Sequence, residues 1–346
     1  DLERGIAGWV AKHKQPLLIA DCYEDARFDP KYDRQTKFKT KAMICVPLIR
    51  KRQLLGVIQV INKVDGSVFD DDDLMIFETL AAQCAIAIEN TKLVELQVES
   101  EALERELNTA RDIQQALLPS ALPKYDDMDI AANLIPARQV GGDYYNVVRI
   151  NKNESLFFIA DVTGKGIPAA LIVSTIDSCL NTYLRMKQVK FDLMTFVIGL
   201  NEILIESTTF DKFATCWFGL YRHTTKKLLS INAGHNPPYV FNKDNGVPRE
   251  LKQGGLFLGG VVMPYESEEI QLKKDDVLVF FSDGVTEAWN EKEEEYEERR
   301  LIDIVKRQLN EKASQILVAI ERDVSQHVGK AQQSDDFTCA VVKILQ

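Results

Sequence analysis

The chain has 346 residues, of which 45% are hydrophobic and 27% charged, and its formal net charge is −10. This length predicts two or three domains with cores of their own, the composition excludes a mainly disordered chain, and no apolar run reaches the ~20 residues that cross a bilayer. The acidic balance argues against binding to nucleic acid or to a membrane surface, and the six cysteines, with no CxxC pair, indicate the reduced thiols of a cytoplasmic protein.

The first part of the chain has the pattern of a small α/β domain. A short helix is predicted at Gly5–Lys14, followed by strands at Gln15–Ala20, Ala42–Arg50 and Leu54–Asn62, which are rich in apolar and β-branched residues. The chain begins at Asp1 rather than at a Met, so we expect it to be a fragment of a longer protein.

A single long helix is predicted from Asp71, because no Gly or Pro follows before Pro119 and the acidic residues at its start oppose the positive end of the helix macrodipole. Part of this helix has the 3-4 spacing typical of a coiled coil. Its a and d positions are Leu93, Leu96, Ser100, Leu103, Leu107, Ala110, Gln114 and Leu117. The alternative is one amphipathic helix that lies on a domain of the same chain.

The region after Pro123 mixes strands and helices. Strands are predicted at Leu134–Pro136, Asn146–Ile150, Leu156–Ala160, Phe213–Tyr221, Leu228–Asn232, Val277–Phe281 and Phe337–Leu345. Helices are predicted at Pro168–Lys187, Leu193–Ser207, Arg299–Leu309 and Ala313–Val328. Because the strands arrive in groups rather than alternating one for one with helices, an antiparallel α+β fold is favoured over a Rossmann fold.

Several aspartates stand where predicted strands begin or end. Asp161 and Asp283 follow apolar strands, Asp335 and Asp336 precede one, and Asp143 comes after two glycines. Each of these alone is ordinary turn chemistry. If the strand ends converge, however, repulsion among the carboxylates requires a cation, and oxygen ligands suit Mg²⁺ or Mn²⁺ rather than zinc.

Five motifs of this region occur in a characteristic order. They are Gly141-Gly142-Asp143-Tyr144-Tyr145, Asp161-Val162-Thr163-Gly164-Lys165-Gly166-Ile167-Pro168-Ala169-Ala170, Asn232-Ala233-Gly234-His235-Asn236-Pro237-Pro238, Ser282-Asp283-Gly284-Val285-Thr286-Glu287 and Asp335-Asp336-Phe337-Thr338. With them, the chain from about residue 113 to residue 346 resembles the bacterial branch of the metal-dependent serine/threonine phosphatases, of the sporulation stage II E and RsbU type.

The resemblance implies an α-β-β-α sandwich of the phosphatase 2C (PPM) type, with two Mn²⁺ or Mg²⁺ ions that activate a water for hydrolysis. The ligands it implies are Asp143, Asp161, the backbone carbonyl of Val162, Asp283 and Asp335, with Asp336 ranked below them. Arg138, five residues before Asp143, has the position of the phosphate-binding arginine of the wider family. Judged from the residues alone, Arg138 is equally a solvated residue at a strand edge.

Two positions depart from the family pattern. Val162-Thr163 stand where the wider family often has Gly-His, so a proton donor of that family is missing, and Asn146 replaces a second aspartate three residues after Asp143. His235 is a candidate general acid, but its Ala-Gly-His-Asn-Pro-Pro context also indicates a tight turn in which the histidine has a structural role.

The N-terminal part resembles a GAF domain that lacks its first strands and helix. The stretches that carry the resemblance are Gly5-Ile6-Ala7-Gly8-Trp9-Val10, Ala42-Met43-Ile44-Cys45-Val46-Pro47-Leu48 and Leu55-Gly56-Val57-Ile58-Gln59-Val60-Ile61-Asn62-Lys63. Asn62-Lys63, with Phe69 and Asp72-Asp73, is similar to the signature of cyclic-nucleotide-binding GAF domains, without its final Glu. Two interpretations stay open: a domain that binds a small molecule, and one used only for folding and dimerisation.

Together these patterns predict a GAF sensor domain at 1–85, a coiled-coil signalling helix at 86–123 and a phosphatase domain at 124–346. The resemblance implies a homodimeric protein serine/threonine phosphatase that the GAF domain regulates. By the same resemblance its substrate is a phosphorylated anti-sigma-factor antagonist of the STAS type. The alternative is a catalytically weak, phosphatase-like scaffold that sequesters its partner.

Overall fold

The structure is a computed structural model that describes residues 4–186, 190–209, 211–243 and 246–346. Two compact units divide the chain, Asp1–Leu103 (unit 1) and Glu104–Gln346 (unit 2), and the boundary between them falls inside one long helix. The predicted α+β class, with a small N-terminal domain and a larger sandwich, is confirmed. The finer division of the chain at residues 85 and 123 stays a prediction.

Unit 1 contains an antiparallel sheet with the strand order β1-β2-β3. Its elements are α1 (Gly5–His13), β1 (Leu17–Ile19), α2 (Lys31–Thr36), β2 (Met43–Arg50), β3 (Gln53–Ile61) and the first part of α3 (Asp71–Leu117). Successive side chains of β2 point to opposite faces of the sheet. Cys45 therefore packs in a core with Val10 of α1. Ile44 packs on the other face in a core with Ala81 and Ala85 of α3.

The Asn62-Lys63 motif has local partners within unit 1. The Asn62 carboxamide accepts a hydrogen bond from the Lys41 backbone N–H at 2.7 Å and donates one to the Lys39 carbonyl at 2.9 Å. Lys63 forms an ion pair with Asp73, in the first turn of α3. The motif thus ties the end of β3 to its neighbours, and a role in nucleotide binding stays a prediction.

Unit 2 contains two sheets within the described residues. Its strands are β4 (Met128–Ile135), β5 (Asp143–Arg149), β6 (Glu154–Val162), β7 (Ala214–Arg222), β8 (Lys227–Ala233), β9 (Tyr239–Phe241), β10 (Arg249–Glu250), β11 (Gly254–Gly255), β12 (Glu268–Gln271), β13 (Val277–Phe281) and β14 (Phe337–Ile344). Its helices are α4 (Ile167–Arg185), α5 (Leu193–Ser207), α6 (Asp283–Thr286), α7 (Glu297–Arg307) and α8 (Ala313–Val328). One sheet has the order β10-β9-β13-β14-β4, and the other has the order β11-β8-β7-β6-β5 with β12 beside β8.

The two sheets face each other, and helices cover their outer faces. Phe157, Trp217 and Phe280 belong to the core between the sheets, where the rings of Trp217 and Phe280 lie 5.3 Å apart. Helices α4 and α5 pack on the sheet that contains β6, and α7 and α8 pack on the sheet that contains β14. Among the described residues, one helix, α4, is long and apolar enough by composition to cross a membrane, yet its Val173 and Ile176 are buried in the core of unit 2.

Most long elements lie within about three residues of the predicted ranges, and the differences have physical causes. Strand β4 begins at Met128 rather than at Leu134, because it pairs with β14 along its whole length although Asp129 and Asn133 break the apolar pattern. The short strands β9 to β12 and helix α2 carry no periodic signal and were not predicted. The predicted end of α4, Lys187, lies outside the described residues.

Candidate metal centre

The five predicted aspartates lie at the same end of the sandwich. Asp143 opens β5 and is paired in register with Asp161 of the neighbouring β6. Asp283 follows β13, whereas Asp335 and Asp336 precede β14. Because β13 and β14 are antiparallel neighbours, those two strand ends lie side by side.

Hydrogen bonds join the sheets at this end. The Thr338 hydroxyl, on β14, donates to Oδ2 of Asp143, on β5. The backbone N–H of Gly142 donates to Oδ2 of Asp336 at 2.8 Å. The strand ends that carry the aspartates therefore converge, which is the condition under which the sequence pattern predicts a shared cation.

Asp336 is buried and holds the loop between β4 and β5. Its Oδ1 accepts a hydrogen bond from the Ala137 backbone N–H at 2.8 Å, and its Oδ2 accepts the bond from Gly142. Gly141 is needed beside it, because a Cβ at that position would lie 2.1 Å from Asp336 Oδ2. Both carboxylate oxygens thus have backbone partners, which indicates a structural role. The additional metal ligand predicted at Asp336 stays a prediction.

Burial and mutual repulsion oppose ionisation of three of these aspartates. Burial, followed by the charge of Asp161, raises the pKa of Asp143 well above its usual range. Burial, together with the charges of Asp283 and Asp335, raises the pKa of Asp161 to about 7. The pKa of Asp283 is raised by burial and by Asp335. A nearby positive charge would stabilise the ionised form of these three carboxylates and lower their raised pKa values.

Lys165 supplies a positive charge that the sequence analysis did not assign to the site. Its Nζ donates to Asp335 Oδ2 at 2.9 Å and to the Ser334 carbonyl at 2.7 Å. Its charge also acts on Asp161, whose pKa it lowers against the effect of the other aspartates. The signal was present in the sequence, since Lys165 is the one cationic side chain of the second motif.

The donor set fits a hard divalent cation, although the side chains are not arranged around one. Among the residues that the structure describes, no three Asp, Glu, His or Cys side chains form a ready ion-binding group. The hydrogen bonds and the ion pair described above engage several of the carboxylates instead. The carbonyl of Val162 lies beside Gly142, where a Cβ would come within 2.6 Å of the oxygen. Buried carboxylates with raised pKa values and a nearby carbonyl are donors that suit Mg²⁺ or Mn²⁺.

Arg138 is exposed in the loop between β4 and β5. It lines a pocket of about 600 Å³ together with Lys165. Because Lys165 also bonds to Asp335, the pocket adjoins the aspartate cluster. This placement is compatible with phosphate binding by Arg138, which stays a prediction.

His235 is buried, and both of its ring nitrogens have partners. Nε2 lies 3.0 Å from the Phe281 carbonyl; because a carbonyl only accepts, Nε2 carries the proton and Nδ1 accepts from the Thr215 hydroxyl at 2.8 Å. Thr215 is opposite Asp161 in register, and Phe281 ends β13 just before the turn at Asp283. Burial lowers the pKa of His235 to about 4. His235 is therefore a neutral link between the two sheets, which supports its structural interpretation over that of a general acid.

Two polar side chains, Gln114 of α3 and Asn146 of β5, have partners that sequence periodicity did not indicate. Gln114 of α3, expected at a coiled-coil position, accepts from the Gly141 N–H at 3.1 Å and donates to the Gly141 carbonyl at 2.8 Å. Asn146 donates to the Tyr144 hydroxyl, which in turn donates to Asp177 of α4 at 2.6 Å. Helices α3 and α4 are thus hydrogen-bonded to the segment that carries the first motif.

Two family models match the chain. The model of stage II sporulation protein E (SpoIIE) matches residues 151–345, more than half of the chain, and the GAF domain model matches residues 1–88. Arg138 and Asp143 precede the matched SpoIIE span, so their assignment rests on the first motif and on its position in the structure.

Named relatives and solved structures agree with these matches. The phosphoserine phosphatase RsbU of Bacillus subtilis is 33% identical over 195 residues, which cover 55% of this chain and 56% of that protein. The cGMP-specific 3',5'-cyclic phosphodiesterase of Drosophila melanogaster is 41% identical over 97 residues, which cover 28% of this chain and 9% of that protein. The structure of the SiaA-PP2C domain of Pseudomonas aeruginosa has a TM-score of 0.62 at 18% identity and covers 71% of this chain and 98% of that one. The chain thus spans less than two thirds of the length of either curated relative, and the SiaA match shows the shared fold.

Replacing His235 should change how stability depends on pH. Its pKa of about 4 in the folded protein lies below the ordinary value of 6.5, so between these pH values the unfolded chain binds a proton that the folded chain does not. From this group, the free energy of unfolding should fall as the pH falls from 6.5 to 4, by up to about 1.4 kcal/mol per pH unit. His235→Gln should lack this contribution, which urea unfolding at a series of pH values without divalent cations measures.

His327→Gln is the matched control, because it makes the same substitution at a partly exposed histidine of the same unit. The raised pKa values of the aspartates make stability fall as the pH rises, but they do so equally in all three proteins and cancel in the comparison. A His235→Gln protein whose pH slope equals that of wild type would contradict the buried, neutral state of His235.

Proposed function

Since the chain belongs to the stage II sporulation protein E family, we propose that the protein hydrolyses phosphoserine or phosphothreonine in another protein with the help of bound divalent cations. The observation that carries this proposal is the cluster of aspartates at one end of the sandwich, of which Asp143 and Asp336 are buried and Asp161, Asp283 and Asp335 are partly buried. Burial and repulsion raise the pKa of Asp143, Asp161 and Asp283, and bound cations would relieve both effects. Strongly perturbed carboxyl groups that converge in this way are typical of functional sites.

The cations would be Mn²⁺ or Mg²⁺, and two of them are proposed. The groups that would hold them are Asp143, Asp161, the Val162 carbonyl, Asp283 and Asp335. When bound, such cations lower the pKa of a water and offset the negative charge on the phosphoryl oxygens.

Other side chains of the site would orient the substrate. Arg138 would bind the phosphoryl oxygens, which the guanidinium group can contact through two parallel hydrogen bonds. Asp336 holds the loop that carries Arg138 and leads into Asp143. His235 is not available to protonate the leaving hydroxyl, because both ring nitrogens are engaged and its pKa is lowered to about 4. We therefore assign that proton to solvent water.

The substrate class follows from likeness to a relative that is named as a phosphoserine phosphatase. From the family resemblance of its motifs, we further propose a phosphorylated anti-sigma-factor antagonist of the STAS type as the substrate. We also propose that the protein acts in the cytoplasm, where its six free cysteines would stay reduced. The alternative is a scaffold that binds the phosphoprotein and turns it over slowly. The ion pair between Lys165 and Asp335 favours that alternative, because it already neutralises part of the cluster.

Asp161→Asn and Asp283→Asn should each lower Mn²⁺-dependent phosphate release from a phosphorylated STAS-type protein by on the order of 100-fold or more, since each removes a carboxylate that would hold the cation. Asp303→Asn, on an exposed position of α7, is the matched control and should keep the wild-type rate. Release is measured with Mn²⁺ and with EDTA. Equal rates in all proteins would exclude this site, whereas a folded wild type that binds the substrate without releasing phosphate would favour the scaffold.

We further propose that the GAF domain regulates the phosphatase through a dimer formed along α3. The helix is continuous from Asp71 to Leu117. Leu93, Leu96 and Leu103 are more than half exposed in the single chain, and a second copy of α3 would bury them. Gln114, by contrast, is hydrogen-bonded to Gly141, so the last turns of the helix are held within unit 2 next to the first motif.

Inserting two residues after Ser100 should disturb this regulation, because it rotates the two parts of the helix against each other by about 200°. Phosphate release and the molar mass by light scattering are compared with those of wild type. A seven-residue insertion at the same place nearly restores the helical phase and should leave both closer to wild type. A two-residue insertion that changes neither measurement would contradict the coupling through α3.

A further inference from the structure

A basic pocket lies beside the aspartate cluster in unit 2. Its volume is about 600 Å³, and it is formed by the last turns of α3 together with the loop between β4 and β5. Three of its lining side chains are cationic: Arg111 of α3, Arg138 of the loop, and Lys165. Leu107, one turn before Arg111, also lines the pocket, so this face of α3 forms one of its walls.

The two arginines differ from Lys165 in their contacts. Within the part of the chain that the structure describes, neither Arg111 nor Arg138 has a hydrogen-bond or ion-pair partner, and both are exposed. Lys165, the third cation, is already paired with Asp335. Two unpaired guanidinium groups on the wall of one pocket favour an anion, because the planar fork of donors matches a phosphate or a carboxylate.

The position of Arg111 is fixed by contacts of α3 within unit 2. Gln114, one turn further along the helix, makes two hydrogen bonds to the backbone of Gly141. Leu117 and Leu118 pack against the core of the sandwich. These contacts hold the backbone of α3 at Arg111 beside the loop that precedes β5.

The pocket borders the aspartate cluster. Lys165 lines the pocket and bonds to Asp335, and Ala137, next to Arg138, bonds to Asp336. A phosphorylated segment whose phosphoryl group lies at the aspartates would therefore lie next to the pocket that Arg111 lines. Arg111 directly follows Ala110, one of the predicted coiled-coil positions, and only the structure shows it in this pocket.

We propose that Arg111 is a substrate-binding residue, which holds an anionic group of the phosphoprotein in this pocket. The inference rests on the proposed phosphatase function and adds a feature to the substrate. The anionic group is either the phosphoryl group itself or a carboxylate close to it in the substrate sequence, and different substrates separate these two sources.

The test compares Arg111→Gln with wild type on three substrates: p-nitrophenyl phosphate, a phosphoserine peptide with acidic flanking residues, and the same peptide with neutral flanking residues. Loss of one charge-assisted contact should raise KM by about 10-fold with little change in kcat, because the contact forms when the substrate binds. An increase in KM for all three substrates would identify the phosphoryl group as the anion that Arg111 binds. An increase in KM for the acidic peptide alone would identify a flanking carboxylate as that anion.

Arg105→Gln is the matched control, because it removes the same charge from α3 at a residue that does not line the pocket. Arg111→Lys should recover part of the lost affinity, since it restores the charge but not the fork of donors. If Arg111→Gln behaves like Arg105→Gln on all three substrates, the inference is wrong.

Binding without turnover separates this inference from the proposed function. Calorimetric titration of the acidic phosphopeptide into metal-free protein needs no hydrolysis, and Arg111→Gln should weaken the Kd by about 10-fold. Binding that depends on Arg111 in a protein that releases no phosphate would refute the phosphatase and leave this inference standing. The inference would be overturned if Arg111→Gln changed neither the KM for hydrolysis nor the Kd for the peptide. It would also be overturned if wild type did not bind the peptide.

Discussion

The crowding of buried and partly buried carboxylates at one end of the sandwich is the constraint on which the rest of the site depends. Asp143 and Asp161 are paired across neighbouring strands, where burial and like charge oppose their ionisation. The Thr338 hydroxyl and the Lys165 ammonium group offset part of this electrostatic penalty. These groups leave most of the negative charge uncompensated, which is why divalent cations are central to the proposed chemistry.

The loop between β4 and β5 connects this cluster to the rest of the molecule. Asp336 holds the loop from one side through backbone N–H groups, and Gln114 of α3 holds it from another through Gly141. The same loop carries Arg138 and leads into Asp143. A shift in the last turns of α3 would therefore reach a proposed metal ligand and the proposed phosphate-binding arginine through two hydrogen bonds.

The sequence predicted the parts of this arrangement that local pattern controls. The apolar strand Val277–Phe281 and the ordered motifs that end in aspartates were recognisable without coordinates, and the family resemblance supplied their convergence. Contacts between residues far apart in the chain were not predictable, such as the bond from Ala137 to Asp336. Periodicity also placed Gln114 in a coiled coil, because helical spacing shows that a face is distinctive but not which partner it contacts.

The central claim is that the converging aspartates hold divalent cations. Anomalous scattering from crystals of the full chain grown with Mn²⁺ tests it most directly, since the signal locates the metal independently of any activity. The expected result is a peak in contact with Asp161 and the Val162 carbonyl, which is lost in Asp161→Asn. Crystals of wild type that show no Mn²⁺ peak at the aspartates, or peaks only elsewhere on the surface, would contradict the proposed metal centre.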